Sequence, residues 1–227
     1  VVIYLVNEMF PRDARSAKRA SPWLAGNAKD YGTRLEKSEM AALILGLVLV
    51  IGIHSLKIVA PAWRAGLVAR LGEGPYRGAY SVVSALGLLL IVWGFTLAWE
   101  NPVVLYTPPN WGRHLAMAMM LLALILVFAS LFPAGWIKRI VVHLLLVATM
   151  LWALSHLFAN GDLAGVVIFA AFLIWAVVDR VFQPSTTSST KNAFGMWDIA
   201  AIVAGIALYS ALLAGLHFWL FGVSPIA

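Results

Sequence analysis

Residues Leu115–Ile137 read LAMAMMLLALILVFASLFPAGWI, 23 positions without an Asp, Glu, Lys or Arg. About 20 such residues in a helix cross a hydrocarbon core of about 30 Å. The stretch is rich in Leu, Ala and Met and does not alternate apolar with polar, so it is no barrel strand. Five further uncharged runs accompany it: Met40–Leu56, Gly78–Trp99, Ile140–Gly161, Leu163–Val178 and Ile199–Ala227. The two shortest reach spanning length if Lys57, Asp162 and Asp179 sit at the interface. The expectation is an all-α integral membrane protein, a bundle of six transmembrane helices. Composition agrees: 62% of the 227 residues are apolar, 11% are charged, and the mean hydropathy is +0.90. A soluble domain is about 45–50% apolar and about 25% charged, and this chain could not cover a water-facing surface.

The segments between the runs add detail. In Lys57–Arg77, Pro61 can start a helix, and Trp63, Leu67 and Leu71 recur every four residues with Arg64 and Arg70 off that stripe. This predicts a short interfacial helix after the first span, ended by a turn at Gly72-Glu-Gly-Pro75. Gln183–Lys191 is a low-complexity connector, giving a flexible linker over 183–194 before a last segment, 195–227. The loops after the first, third and fifth runs hold Lys57, Arg64, Arg70, Arg77, Lys138, Arg139, Arg180 and Lys191, whereas those after the second and fourth hold only Arg113. The basic side is therefore expected in the cytoplasm, with the C-terminus outside a bacterial inner membrane. The net charge of +6 then reflects anionic lipid as partner, not nucleic acid.

Residues 1–39 carry 7 of the 16 basic and 5 of the 10 acidic residues and would put that charge on the outer side. Their apolar start precedes their basic cluster, the reverse of a signal peptide. With Met40 at the mouth of the first run, the expectation is that native translation starts there. A genuine soluble extension is the alternative. The membrane domain proper then covers 40–182 with five spans.

No cysteine is present, which removes disulfides, thiolate haem ligation and cysteine catalysis. Phosphate-binding loops, Gly-x-Ser-x-Gly, His-Glu-x-x-His and zinc-ligand spacings are likewise missing from the sequence. Five histidines remain: His54, His114, His143, His156 and His217. Imidazole is the usual axial ligand of haem in a helical bundle. Each also has a plain reading: His54 as a helix-to-helix bond, His114 as a solvated residue at a helix start, His217 as an interfacial residue near the outer end. His143 and His156, thirteen residues apart on one expected helix, would lie about 20 Å apart and cannot share an iron. His156 is the better-dressed of the two, with Trp152 one turn back and Asn160 and Asp162 as candidate acceptors fixing its tautomer.

At these residues the chain resembles the NnrU family of membrane proteins. The matching stretches are Gly52-Ile-His-Ser-Leu-Lys57 with Val59–Arg64, Arg70–Arg77 with Tyr80-Ser81, Trp111–Leu115, Leu151–His156 through Asn160-Gly-Asp162, and Leu220–Pro225. The resemblance covers about 40–227. It implies an association with nitric-oxide reduction and denitrification. It also implies kinship with 15-cis-zeta-carotene isomerase, a branch that uses haem b, whose ligands would fall on His54 and His156. His143 is matched too, but Leu144 replaces a usual Pro and Met150 a usual Lys. The isomerase branch carries a cysteine three residues before its second histidine, where this chain has Ala153. Depth along the chain separates His54 from His156 by about 10–15 Å, so His54 with His143, or a set from His114, His156 and His217, stays open.

The expected function is that of a haem-b-binding inner-membrane protein supporting nitric-oxide or nitrite reduction, with the membrane-bound reduction machinery as partner. A haem-dependent cis–trans isomerase of a carotenoid-like polyene is the enzymatic alternative. A cofactor-free scaffold or assembly factor is the third.

Overall fold

The computed structural model describes residues 22–100, 102–183 and 193–226, with side chains from Met40 onward. Its elements are helices: α1 (Pro22–Val59), α2 (Pro61–Leu71), α3 (Glu73–Trp99), α4 (Asn110–Leu131), α5 (Trp136–Ile140), α6 (Leu144–Ala159), α7 (Leu163–Phe182) and α8 (Met196–Ala211). A π-helical turn, Leu212–Leu216, links α8 to α9 (His217–Phe221). Among the described residues no strand forms, only an isolated bridge between Val104 and Asp162.

Five stretches are long and apolar enough to cross a membrane: Met40–Val59, Glu73–Trp99, Asn110–Leu131, Leu163–Phe182 and Met196–Phe221. These match five of the six expected runs. The remaining run, Ile140–Gly161, does not form one helix. It breaks at His143, whose φ of 58° and ψ of 50° are left-handed, and α6 follows with 16 residues. At about 1.5 Å per residue α6 is about 24 Å long. His143 therefore precedes this helix and does not share it with His156, a correction to the sequence reading.

Two other boundaries move. The turn expected at Gly72–Pro75 shrinks to Gly72 alone, with φ 83°, and α3 starts at Glu73. Pro75 then lies in the first turn of α3, where a missing N–H costs no hydrogen bond. Helix α1 begins at Pro22 and runs through the boundary expected at 39/40. Residues 1–21 of the N-terminal extension, and 184–192 of the expected linker, lie outside the described residues.

By its contacts the chain forms two units, one from α1 up to His54 with Ala62–Pro102, the other from Ser55–Pro61 with Val103 onward. In the first, α1 and α3 touch backbone to backbone. A Cβ on Gly46 would sit 2.6 Å from the Gly87 carbonyl oxygen and 2.7 Å from the Ile91 nitrogen. Leu43, Leu47, Ile91 and Leu97 are buried in this unit. In the second, α4 packs on α6 and α8, and α6 packs on α7. Its buried positions are mostly small: Ala116, Ala123, Ala129, Ala148, Ala153, Ala164, Ala176 and Ala201. Lipid tails are as apolar as any side chain, so helices associate in a membrane by close van der Waals packing, which small residues permit.

Asp179 was expected to reach the interface. It is instead fully buried, and its Oδ2 lies 3.1 Å from the Nζ of Lys57, which is half exposed. Neither carboxylate oxygen receives a hydrogen bond, so this ion pair is what compensates the charge. The pair also joins the C-terminal end of α1 to that of α7.

Two outcomes test this packing. Gly46→Ala should destabilise the protein by about 1–3 kcal/mol, because backbone atoms cannot move aside. Gly52→Ala, on the same helix with nothing within 4 Å of the added Cβ, should not. Thermal midpoints in mild detergent compare the two, and equal losses would contradict the crossing. Separately, Lys57→Met should cost about 2–3 kcal/mol by stranding the buried carboxylate, with solvent screening keeping the loss at the low end. Adding Asp179→Asn should recover most of it, whereas additive losses in the double variant would deny the coupling.

Candidate functional site

The last two turns of α6 hold the best-organised histidine. His156 Nδ1 lies 2.8 Å from the carbonyl oxygen of Trp152, one turn back. A carbonyl can only accept, so Nδ1 carries the proton and the imidazole is the Nδ1–H tautomer with its Nε2 lone pair outward. The Ser155 hydroxyl donates to the same carbonyl at 2.7 Å. The His156 ring stacks on Phe169 of α7, with centroids 4.5 Å apart and an interplanar angle of 26°. Trp152 lies 5.4 Å from His156, and meets Phe169 and Phe172 edge-on at 5.2 and 5.5 Å. Trp152 and Phe169 thus flank the imidazole, and among the described residues its Nε2 has no protein hydrogen-bond partner.

The sequence reading assigned the tautomer to Asn160 or Asp162, and the structure corrects this. Asn160 donates from Nδ2 to the His156 carbonyl at 2.9 Å, and Asp162 caps α7 by accepting from the Gly165 N–H at 2.7 Å. Both close helix ends, and the helix's own carbonyl sets the imidazole. The turn between α6 and α7 is latched by the segment before α4. Leu105 and Tyr106 donate N–H to the Gly161 carbonyl at 2.8 and 3.2 Å, and Leu163 donates to Val103 at 2.8 Å. The Tyr106 hydroxyl is shared between the carbonyls of Leu157 and Asn160. Burial and the nearby Asp162 carboxylate hold the Tyr106 phenol above its ordinary range, so it stays protonated and keeps donating at physiological pH.

The other histidines fall as follows. His54 repeats the arrangement of His156, with Nδ1 2.8 Å from the Val50 carbonyl four residues back. Its ring lies 5.1 Å from Tyr80, which is 6.4 Å from Tyr76. The expected bond from His54 to a neighbouring helix is thus, at Nδ1, a bond within α1. His114 points Nδ1 at Asn110 at 3.2 Å and is exposed, as its plain reading had it. His217, just after the π turn, donates from Nδ1 to the Val223 carbonyl at 2.7 Å, which folds the C-terminal turn back on α9. His143 caps the start of α6, the whole helix away from His156.

Among the described residues no three His, Asp or Glu side chains converge. The donors on offer are single imidazoles. An iron that already carries four macrocycle nitrogens asks for no more than such single donors, and in His156 and His54 the Nδ1 atom is taken up by a carbonyl, which leaves Nε2 as the nitrogen to offer.

Sequence reasoning missed one residue that matters here. Asp198 in the first turn of α8 accepts from the N–H groups of Trp136 at 3.0 Å, Ile137 at 2.9 Å and Gly195 at 2.9 Å. It caps α5 and its own helix at once, and so fixes the chain leading into α6. An acid at the third position of a helix is a legible capping signal, but its partners sixty residues upstream are not.

No curated protein and no solved structure matches this chain. A family model described as NnrU protein matches residues 42–225 of the 227. With the histidine-bearing helices and their capping turns inside that match, the chain belongs to the NnrU family.

Proposed function

We propose that the protein is a haem-b-binding, six-span component of the bacterial cytoplasmic membrane that supports nitric-oxide or nitrite reduction. The observation that carries the reading is His156: a neutral imidazole with Nδ1–H satisfied, Nε2 without a protein partner, and flat aromatic surfaces around it. In this reading α6 is the sixth span, lengthened at its ends by the turns that flank it. The basic ends of α1 and α7 face the cytoplasm and the C-terminus faces outward.

His156 would provide one imidazole nitrogen to the iron. His54 is the second ligand that the family resemblance implies, and His217 is the competitor from the same unit as His156. A b-type haem bound there supplies a one-electron redox couple. The chain's own part is to place the imidazole proton through the Trp152 carbonyl, to flank the ring with Phe169 and the Trp152 indole, and to keep the end of α6 closed through Tyr106.

The test is an absorption spectrum of the protein in mild detergent, oxidised and dithionite-reduced, with haem quantified per chain. A stoichiometric b-type spectrum is expected, and His156→Ala should lose the haem or lose the sharp reduced α-band. His54→Ala and His217→Ala then identify the second ligand, as the one whose loss has the same effect. Full haem with an unchanged spectrum in His156→Ala would overturn the reading. Cis–trans conversion of a polyene in a carotenoid-producing host, lost in His156→Ala, would move the same haem to the isomerase function.

A further inference from the structure

A cavity of about 460 Å³ opens between α2 and the first turns of α3, away from every histidine discussed above except through Tyr76 and Tyr80. Arg64, Ala65, Val68 and Ala69 line it from α2, and Glu73, Tyr76 and Arg77 line it from α3. Its charges do not balance. Arg77 Nη2 is held by Glu73 Oε1 at 2.6 Å, which accounts for one guanidinium. Arg64 has no carboxylate partner among the described residues; its guanidinium lies 5.5 Å over the ring of Tyr76, which is itself buried. The cavity thus holds one uncompensated cation, fixed in direction by an aromatic face.

Its position states which anion it would meet. Helix α2 has no buried residue, and Val59, Trp63 and Leu71 around it are 79%, 57% and 51% exposed. Three large apolar side chains at the end of a membrane span are stable in contact with lipid, with the helix lying along the surface. A cavity beside such a helix opens at the level of the head groups. A guanidinium presents its donors in a planar fork that matches phosphate oxygens, and the alanines and Val68 leave an apolar wall beside it. The volume falls within the range of about 300–1,000 Å³ typical of small-ligand pockets.

We infer that the cavity between α2 and α3 is a binding site for a phosphate-bearing anion, with Arg64 as its primary contact and a phospholipid head group as its occupant. Arg77, tied to Glu73, closes the far side. The inference stands independently of the haem reading, because none of its residues is a candidate ligand.

The experiment is native mass spectrometry of the full chain in mild detergent, titrated with phosphatidylglycerol. Arg64→Gln should weaken lipid retention by about tenfold, the loss typical of one charge-assisted contact, and Arg64→Lys should restore only part of it. Arg70→Gln, which removes the same charge from the same helix outside the cavity, should change retention less than about twofold, as expected for a screened surface charge. Ala69→Phe should also weaken binding by filling the space without altering charge. Equal losses in the Arg64 and Arg70 variants would overturn the site in favour of diffuse surface charge, as would retention unaffected by Arg64→Gln and Ala69→Phe together. Displacement of the lipid by millimolar inorganic phosphate supports the phosphate site and makes its occupant a free anion.

Discussion

Hydrocarbon offers no hydrogen-bond partner, so every place where a helix stops inside a membrane protein must be closed by the protein itself. That constraint governs the second unit of this chain. The segment between α4 and α6 is not a plain loop. Lys138 donates to the carbonyls of Ser130 and Phe132 at the end of α4, while Asp198 receives the free N–H groups at the start of α5. At the other end of α6, Asn160, Asp162 and Tyr106 do the same work for α6 and α7. Lys138, Asp198 and Tyr106 reach to another element to do so, whereas Asn160 and Asp162 close the ends of their own helices.

The same constraint explains why the histidines sit as they do. An imidazole has one donor to satisfy, and a helix interior offers a carbonyl four residues back. His156 and His54 both use it, which places the proton on Nδ1 of each ring. The helix's own carbonyl thus orients each imidazole. His217 differs, because its carbonyl partner Val223 is reached only after Gly222 turns the chain back at φ 75°. Its orientation depends on the C-terminal turn.

Five spans were legible because a missing charge over twenty residues has a single physical meaning in a chain this apolar. The break at His143 was not. No Gly or Pro stands at 140–144 to mark it, and a left-handed histidine leaves no trace in hydropathy. A Pro at position 144, the first residue of α6, would have marked it, because a residue before Pro is driven out of the α region; Leu144 carries no such signal. The ion pair of Lys57 with Asp179 was hidden for a different reason. A charge at the edge of an apolar run reads equally well as snorkelling or as buried, and only the packing of α7 decides.

The candidate site was legible as residue types and illegible as geometry, and the reason bears on its chemistry. The apolar helices here contain several polar side chains that look alike in sequence. Thr96 and Thr149 donate to carbonyls four residues back at 2.8 Å each, and Ser155 to one three residues back at 2.7 Å. Each is thereby satisfied as a donor and is left with nothing further to offer but weak acceptor capacity. His156 makes the same bond and differs in one atom: it retains a nitrogen lone pair on the far side of a rigid ring. That lone pair is the capacity the hydroxyls lack, and a sequence shows the imidazole without showing which of its two nitrogens keeps it.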